Sequence, residues 1–142
     1  MKIVLTSHGN FCTGLLESCK MIAGETVDKI RTVKMDDVGI GKFSKELNDL
    51  LDELIKEDKV LVLCDLKGGT PYNESFNYFL RHPEDVRVVC GMNLPMVIET
   101  VLQLDAGHDL SKLAGIAVNA GRNAVEMAVA DNNNDDDGEL DF

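Results

Sequence analysis

Short apolar runs alternate with longer amphipathic stretches along most of the chain. Continuous apolar runs at residues 3–5 and 60–64 are typical of strands buried on both faces of a sheet. Residues 27–34 alternate apolar and polar positions and are rich in β-branched side chains, which also indicates a strand. With a further apolar segment at residues 86–90, the pattern predicts four strands.

Apolar residues at helical spacing fill the intervals between these strands. Gly24 and Pro83 are stop signals after the first and third helices, and Thr70 is the predicted N-cap of the third, with Pro71 at its first helical position. The predicted helices lie at about residues 15–22, 43–55, 70–82, 95 onward and 110–120. Four strand-helix units in series predict an α/β fold, an open doubly wound parallel sheet with helices on both faces.

The end of the chain divides into two parts. Residues 124–130 alternate in a way that favours a strand, although their alanines and Glu126 would also suit a helix. Residues 131–142 contain six acidic residues, no Lys or Arg and almost no apolar side chains, so we expect a disordered acidic tail. The predicted organisation is therefore one domain over residues 1–130, followed by a tail over residues 131–142.

The length and charge narrow the class of protein. A chain of 142 residues with 44% hydrophobic residues can bury the core of one globular domain. The formal net charge is −11, and outside the tail 19 acidic residues still face 14 basic ones. Because such a domain repels phosphate backbones, nucleic acid is not an expected partner, whereas a basic protein is.

Neither a leader segment nor a membrane span is predicted. The apolar run near Met1 is too short for a secretory signal, and no stretch is long enough to cross a bilayer, so we expect a soluble, cytoplasmic protein that is not inserted in a membrane. The cysteines, which form no C-x-x-C pair, are expected to be reduced and mostly buried rather than zinc ligands or a redox pair. They are Cys12, Cys19, Cys64 and Cys90.

A histidine and a carboxylate follow two of the predicted strands. His8 comes after the first strand and Asp65 directly after the third. Ligands of open parallel sheets bind at the carboxyl ends of the strands, where neighbouring strands would bring these side chains together. A carboxylate can hold one ring nitrogen and leave the other as a nucleophile. His8 and Asp65 are therefore candidate catalytic residues of a phosphohistidine site.

The segment Gly68, Gly69 and Thr70 offers donors for phosphoryl oxygens. Its backbone N–H groups and one hydroxyl lie at a predicted helix N-terminus, whose dipole favours an anion. Phosphoryl transfer depends mainly on positioning and on stabilising charge. We therefore predict that these three residues bind the phosphate, with no metal ion and no cofactor.

Each of these features has a simpler interpretation when taken alone. A strand-end histidine is more often a loop residue, Asp65 could cap a turn, and a Gly-Gly-Thr-Pro run is a good junction between a loop and a helix. Their convergence on one edge of one sheet favours a site. The other two histidines, His82 and His108, stand beside Pro83 and Gly107 and are expected on surface loops.

Three segments together resemble the enzyme IIA domains of the mannose, fructose and sorbose family of the sugar phosphotransferase system (PTS). They are residues 3–9, 64–73 and 91–96, with the sequences IVLTSHG, CDLKGGTPYN and GMNLPM. The resemblance extends over residues 1 to about 130. This chain departs from the family pattern at Lys67, where the family often has an aromatic or other bulky residue, so the surface that meets partners differs there.

The resemblance implies a phosphotransferase with a phosphohistidine intermediate. His8 would accept a phosphoryl group on Nε2 from the phosphocarrier HPr and pass it to enzyme IIB, and the membrane components IIC and IID would be served only indirectly. Asp65 would orient His8 through Nδ1, while Thr70 and neighbouring amides would contact the phosphoryl group. The resemblance also implies a homodimer in which a C-terminal strand, near residues 124–130, crosses to the partner's sheet as an antiparallel edge strand.

Other functions stay open on the sequence alone. A IIA-like carrier for dihydroxyacetone kinase has a related fold and a similar strand-end histidine, although residues 91–95 favour the sugar-transport branch. A non-enzymatic regulatory or binding module of the same fold is a second alternative. A plain flavodoxin-like ligand binder, in which His8 is never phosphorylated, is a third.

Overall fold

One sheet of four parallel strands organises the molecule. The computed structural model describes residues 1–130. The strands are β1 (Lys2–His8), β2 (Ile30–Met35), β3 (Val60–Cys64) and β4 (Val86–Cys90). They lie in the order β2-β1-β3-β4, and each neighbouring pair is parallel. The strand order therefore reverses between β1 and β3, where ligands of such sheets bind.

Helices cover both faces of this sheet. They are α1 (Phe11–Ala23), α2 (Ile40–Leu54), α3 (Thr70–Arg81), α4 (Leu94–Leu102) and α5 (Leu110–Asn123). Helices α1, α4 and α5 pack on one face and α2 and α3 on the other. This arrangement confirms the predicted open, doubly wound α/β fold.

The central strand β3 is buried along its whole length. Leu61 and Leu63 pack into the core beneath α1, α4 and α5, while Val62 and Cys64 pack into the core beneath α2 and α3. Successive side chains of a strand point to opposite faces, so a strand covered on both faces must be apolar at every position. The apolar run from residue 60 to 64 has this origin.

Two predicted boundaries differ from the structure. Gly24 ends α1 with a φ of 62°, as expected for a glycine stop, but the 3₁₀ helix Gly24–Lys29 follows it and β2 begins only at Ile30. The buried Val27 belongs to that 3₁₀ turn rather than to a strand, because its burial against the core does not require extended backbone. Thr70 is the first residue of α3, and the N-cap is Gly69.

Residues 124–130 form no strand within the described single chain. Helix α5 continues to Asn123, beyond its predicted end, and the following apolar side chains are exposed by 75–82%. They are Val125, Met127 and Val129. A strand that pairs with a partner's sheet, and the dimer it would build, stay predictions. The predicted disordered tail, residues 131–142, lies outside the described residues.

Candidate functional site

His8 and Asp65 meet at the carboxyl edge of the sheet. His8 is the last residue of β1 and Asp65 directly follows the neighbouring strand β3. The ring nitrogen Nδ1 of His8 lies 2.8 Å from Oδ2 of Asp65, and the backbone N–H of His8 donates to the same oxygen at 2.9 Å. The structure thus brings the two predicted catalytic residues into direct contact, and one carboxylate oxygen fixes both the backbone and the ring of the histidine.

This contact determines which ring nitrogen of His8 is available. An ionised carboxylate can only accept hydrogen bonds, so Nδ1 carries the proton and Nε2 keeps its lone pair in the neutral ring. The His8 side chain is 44% exposed, and no described residue forms a hydrogen bond with Nε2. The result is an oriented imidazole whose nucleophilic nitrogen is accessible.

Asp65 keeps one oxygen in reserve. Its side chain is only 14% exposed, and within residues 1–130 Oδ1 is buried without a hydrogen-bond partner. A buried polar atom without a partner costs stability, and proteins retain such atoms mainly where they have a role in function.

Gly69 provides space for the His8 ring. A Cβ atom added at Gly69 would lie 2.7 Å from Cε1 of His8 and 3.4 Å from Nε2, both too close or barely tolerable for a carbon atom. Gly69 itself has an ordinary φ of −74°, so the requirement is for room and not for backbone freedom. Gly68 differs, since its φ of 83° lies in the left-handed region that favours glycine.

The predicted phosphate-binding donors are not equally available. The N–H of Gly69 already donates to the carbonyl oxygen of Leu66 at 3.2 Å and closes a turn. Thr70, in contrast, begins α3, where the first N–H groups have no acceptor within the helix. Gly68 is held from the other side, because Nδ2 of Asn73 donates to its carbonyl oxygen at 3.2 Å. Of the three residues, Thr70 retains the clearest opportunity to bind an anion.

The site also includes the end of β2, which the sequence analysis did not consider. His8 lies beside Met35 in the register of β1 and β2, and the N–H of Gly9 donates to the Met35 carbonyl oxygen at 2.7 Å. A depression of about 340 Å³ opens at this point. It is lined by His8, Gly9, Asn10, Lys34, Met35, Asp36 and Asp37. The parallel direction of β2 was the available signal, since all parallel strands end at the same edge.

Cys64, beside the site, does not compete with His8 as a nucleophile. Burial, above all, raises the pKa of its thiol to about 12, although a contact with the Ser75 hydroxyl at 3.7 Å works in the opposite direction. At neutral pH the sulfur is therefore protonated, and only the thiolate is a strong nucleophile.

The remaining histidines lie apart from strands and helices and are half-buried. His82 follows α3 and stacks on the ring of Tyr78, with 4.5 Å between ring centroids. His108 precedes α5, and its Nε2 lies 3.1 Å from Oε1 of Gln103. Neither contacts the His8–Asp65 pair.

Comparison with known proteins identifies the family. A model of the family described as PTS system fructose IIA component matches residues 2–117. The chain belongs to this family. The fructose-specific EIIA component of Bacillus subtilis is 31% identical over 101 residues, which cover 71% of this chain and 68% of that protein. The chain is therefore a PTS IIA component of the mannose, fructose and sorbose type, a component of a phosphotransferase.

Solved structures and longer relatives agree with this assignment. The mannose/sorbose-specific IIA subunit from Enterococcus faecalis superposes with a TM-score of 0.83 at 34% identity, covering 92% of this chain and 96% of that one. The mannose-specific EIIAB component of Escherichia coli K12 is 30% identical over 132 residues. That match covers 90% of this chain but only 39% of the relative. Among residues 1–130 of this IIA chain, no helix combines the length and apolar character needed to cross a membrane.

The third family-like segment of this IIA chain has a structural role in the contacts of Asn93. Its Oδ1 accepts from the N–H of Met96 at 3.0 Å and caps α4, while its Nδ2 donates to the carbonyl oxygen of Gly121 at 3.0 Å in α5. One side chain therefore fixes two helices against each other at the end of β4.

Replacing Asn93 by alanine should lower the free energy of unfolding by about 1–2 kcal/mol, because it removes a helix cap and an interhelical hydrogen bond. Urea denaturation followed by circular dichroism measures this loss. Asn119→Ala, on the exposed face of α5, is the matched control and should change stability by less than about 0.5 kcal/mol. Equal stability of the two variants would refute the role assigned to Asn93.

Gly69→Ala should slow phosphoryl uptake by this IIA chain roughly 10- to 100-fold, because the new Cβ displaces the His8 ring from Asp65 and small misplacements of reacting groups are costly. Initial rates with phosphorylated HPr measure the effect. Gly115→Ala in α5 is the control, since a Cβ there meets nothing within 4 Å. A wild-type rate in the folded Gly69→Ala variant would show that the ring does not need this space.

Proposed function

We propose that this IIA component carries a phosphoryl group on Nε2 of His8. It accepts the group from the phosphocarrier HPr and passes it to enzyme IIB in the cytoplasm, and IIB then supplies the membrane IIC and IID components for coupled sugar uptake and phosphorylation. The observation that carries this proposal is the 2.8 Å contact between Nδ1 of His8 and Oδ2 of Asp65. It leaves the exposed Nε2 as the nucleophile, in a chain whose family consists of PTS IIA components.

The transfer step needs only the groups at this site. The lone pair of His8 Nε2 attacks phosphorus, a new N–P bond forms, and the N–P bond to the donor histidine breaks with its electron pair returning to the donor ring. His8 keeps its proton on Nδ1 throughout. The ring gains positive charge as the bond forms, and the Asp65 carboxylate stabilises that charge at a distance of 2.8 Å. Transfer to IIB is the same step in reverse.

Thr70 is the proposed main contact for the phosphoryl oxygens on the β3 side. It stands at the N-terminus of α3, where the helix dipole favours an anion, and its hydroxyl and N–H are both potential donors. Gly68 and Gly69 complete the segment, Gly68 through its left-handed backbone and Gly69 by leaving room for the imidazole. No metal ion or cofactor enters this mechanism.

The test is a two-stage phosphoryl relay. The chain is incubated with phosphoenolpyruvate, enzyme I and HPr, and intact-mass analysis with peptide mapping follows the group; the phosphorylated chain is then isolated and mixed with a cognate IIB. We expect one acid-labile phosphoryl group on the peptide that contains His8, and its loss to IIB in the second stage. An active donor system that leaves the chain unmodified would exclude the carrier function and favour a binding module of the same fold.

A further inference from the structure

Lys34 places a cation in the depression beside His8. It lies in β2 opposite Ser7 of β1, one position before the pairing of His8 with Met35. Its side chain lines the same depression of about 340 Å³ as His8. A water molecule occupies about 30 Å³ in the liquid, so this volume accommodates a phosphoryl group together with the lysine ammonium.

The ammonium of Lys34 is held by a neutral group. Its Nζ donates to Oδ1 of Asn10 at 2.9 Å, and within residues 1–130 no carboxylate oxygen lies within 4.0 Å of it. Lys42, the nearby lysine of α2, is instead engaged by Asp36 at 4.0 Å and by Glu46 at 3.6 Å. Of these two lysines, Lys34 is the one whose charge is not already balanced by a described carboxylate.

The rest of the depression would repel a phosphoryl group. Asp36 and Asp37 line it together with His8, and a phosphoryl group brings further negative charge to His8. Asp36 is partly neutralised by Lys42 and by the N–H of Val38, which donates to its Oδ1 at 2.9 Å. A cation that can approach the phosphoryl oxygens therefore has a clear electrostatic purpose here.

We infer that the Lys34 ammonium binds an oxygen of the phosphoryl group carried on His8. In the unphosphorylated chain Nζ rests on Asn10; when the group arrives, Nζ exchanges that amide oxygen for a phosphoryl oxygen and makes a charge-assisted hydrogen bond. The inference rests on the proposed function, since it concerns the phosphorylated state of His8. Thr70 would then hold the group from the β3 side and Lys34 from the β2 side.

The equilibrium constant for phosphoryl exchange between HPr and this chain isolates that contact. It compares the phosphorylated and free forms, so neither a docking contact with HPr nor a structural contact present in both forms changes it. Lys34→Met should lower the constant roughly three- to tenfold, the range expected for a partly exposed charged hydrogen bond. Lys34→Arg, which keeps the charge and the donors, should stay within about twofold of wild type.

Lys45→Met is the matched control for net charge. Lys45 is an exposed lysine of α2 whose ion pair is with Asp49, and it does not line the depression. It should leave the exchange constant within about twofold of wild type, because an exposed charge at a distance is screened by salt. The three variants and the wild type are measured in the same buffer with limiting HPr, by the fraction of each protein phosphorylated at equilibrium.

The outcomes separate this inference from the proposed function. If the wild-type chain is phosphorylated but Lys34→Met matches Lys45→Met, the role of Lys34 is refuted while the carrier function stands. If Lys34→Arg falls as far as Lys34→Met, a charge contact with the phosphoryl group is also refuted. If the wild type takes up no phosphoryl group, the proposed function fails and this inference fails with it.

Discussion

His8→Gln is expected to abolish phosphoryl uptake completely while leaving the fold intact. Glutamine has no nucleophilic nitrogen, so the N–P bond cannot form. The side chain lies at the end of β1 and is 44% exposed, so we expect the free energy of unfolding to change by less than about 1 kcal/mol. Intact-mass analysis after incubation with enzyme I, HPr and phosphoenolpyruvate measures uptake, and urea denaturation measures stability.

The matched control for this variant is His108→Gln. It removes another histidine of the chain, one that contacts Gln103 and lies apart from Asp65, and it should be phosphorylated as fast as wild type. Phosphorylation of a folded His8→Gln variant would mean that another residue accepts the group, and the assignment of His8 would be wrong.

Asp65→Asn is expected to slow phosphoryl uptake roughly 100-fold or more, by analogy with carboxylates that set the tautomer of a catalytic histidine. The substitution removes the negative charge beside Nδ1. An amide N–H turned toward the ring would also stabilise the tautomer with the proton on Nε2, which has no lone pair for attack. Rapid-quench measurement of single-turnover transfer from phosphorylated HPr gives the rate.

Asp49→Asn serves as the control for the loss of one negative charge. Asp49 lies on the exposed surface of α2 and pairs with Lys45, so its rate of uptake should equal that of wild type. A wild-type rate in Asp65→Asn would remove Asp65 from the mechanism, whatever its contact with His8 in the free chain.

The sheet and its helices could be predicted because burial leaves a direct imprint on the sequence. A strand covered on both faces, such as β3, must be apolar throughout, and the covering helices must be apolar on one side. The start of β2 could not be predicted in the same way. Val27 is buried in a 3₁₀ turn, and an apolar residue next to a strand has the same pattern whether its backbone is extended or turned.

The sequence located the site but did not define its whole surface. The contact between His8 and Asp65 followed from their positions at the ends of adjacent parallel strands. The use of Gly69 depends on which side of the imidazole lies against the chain, and that requires the coordinates of the ring. Lys34 was overlooked because attention went to loops with recognisable motifs, whereas it lies within a strand that ends at the same edge.

Residues 124–130 show the limit of reasoning from one chain. Their alternating apolar side chains predict a strand, yet in the described chain Val125, Met127 and Val129 remain exposed. A strand at the edge of a partner's sheet would need a second chain for its hydrogen bonds. The pattern is therefore evidence of pairing only if a dimer forms, and the homodimer stays a prediction.

Nuclear magnetic resonance of the phosphorylated, ¹⁵N-labelled chain tests the central claim most directly. Correlations between the imidazole protons and ring nitrogens of His8 identify which nitrogen is bonded to phosphorus. Our account predicts phosphorus on Nε2, with the proton on Nδ1 retained by Asp65. A phosphoryl group on Nδ1, or on any residue other than His8, would contradict it.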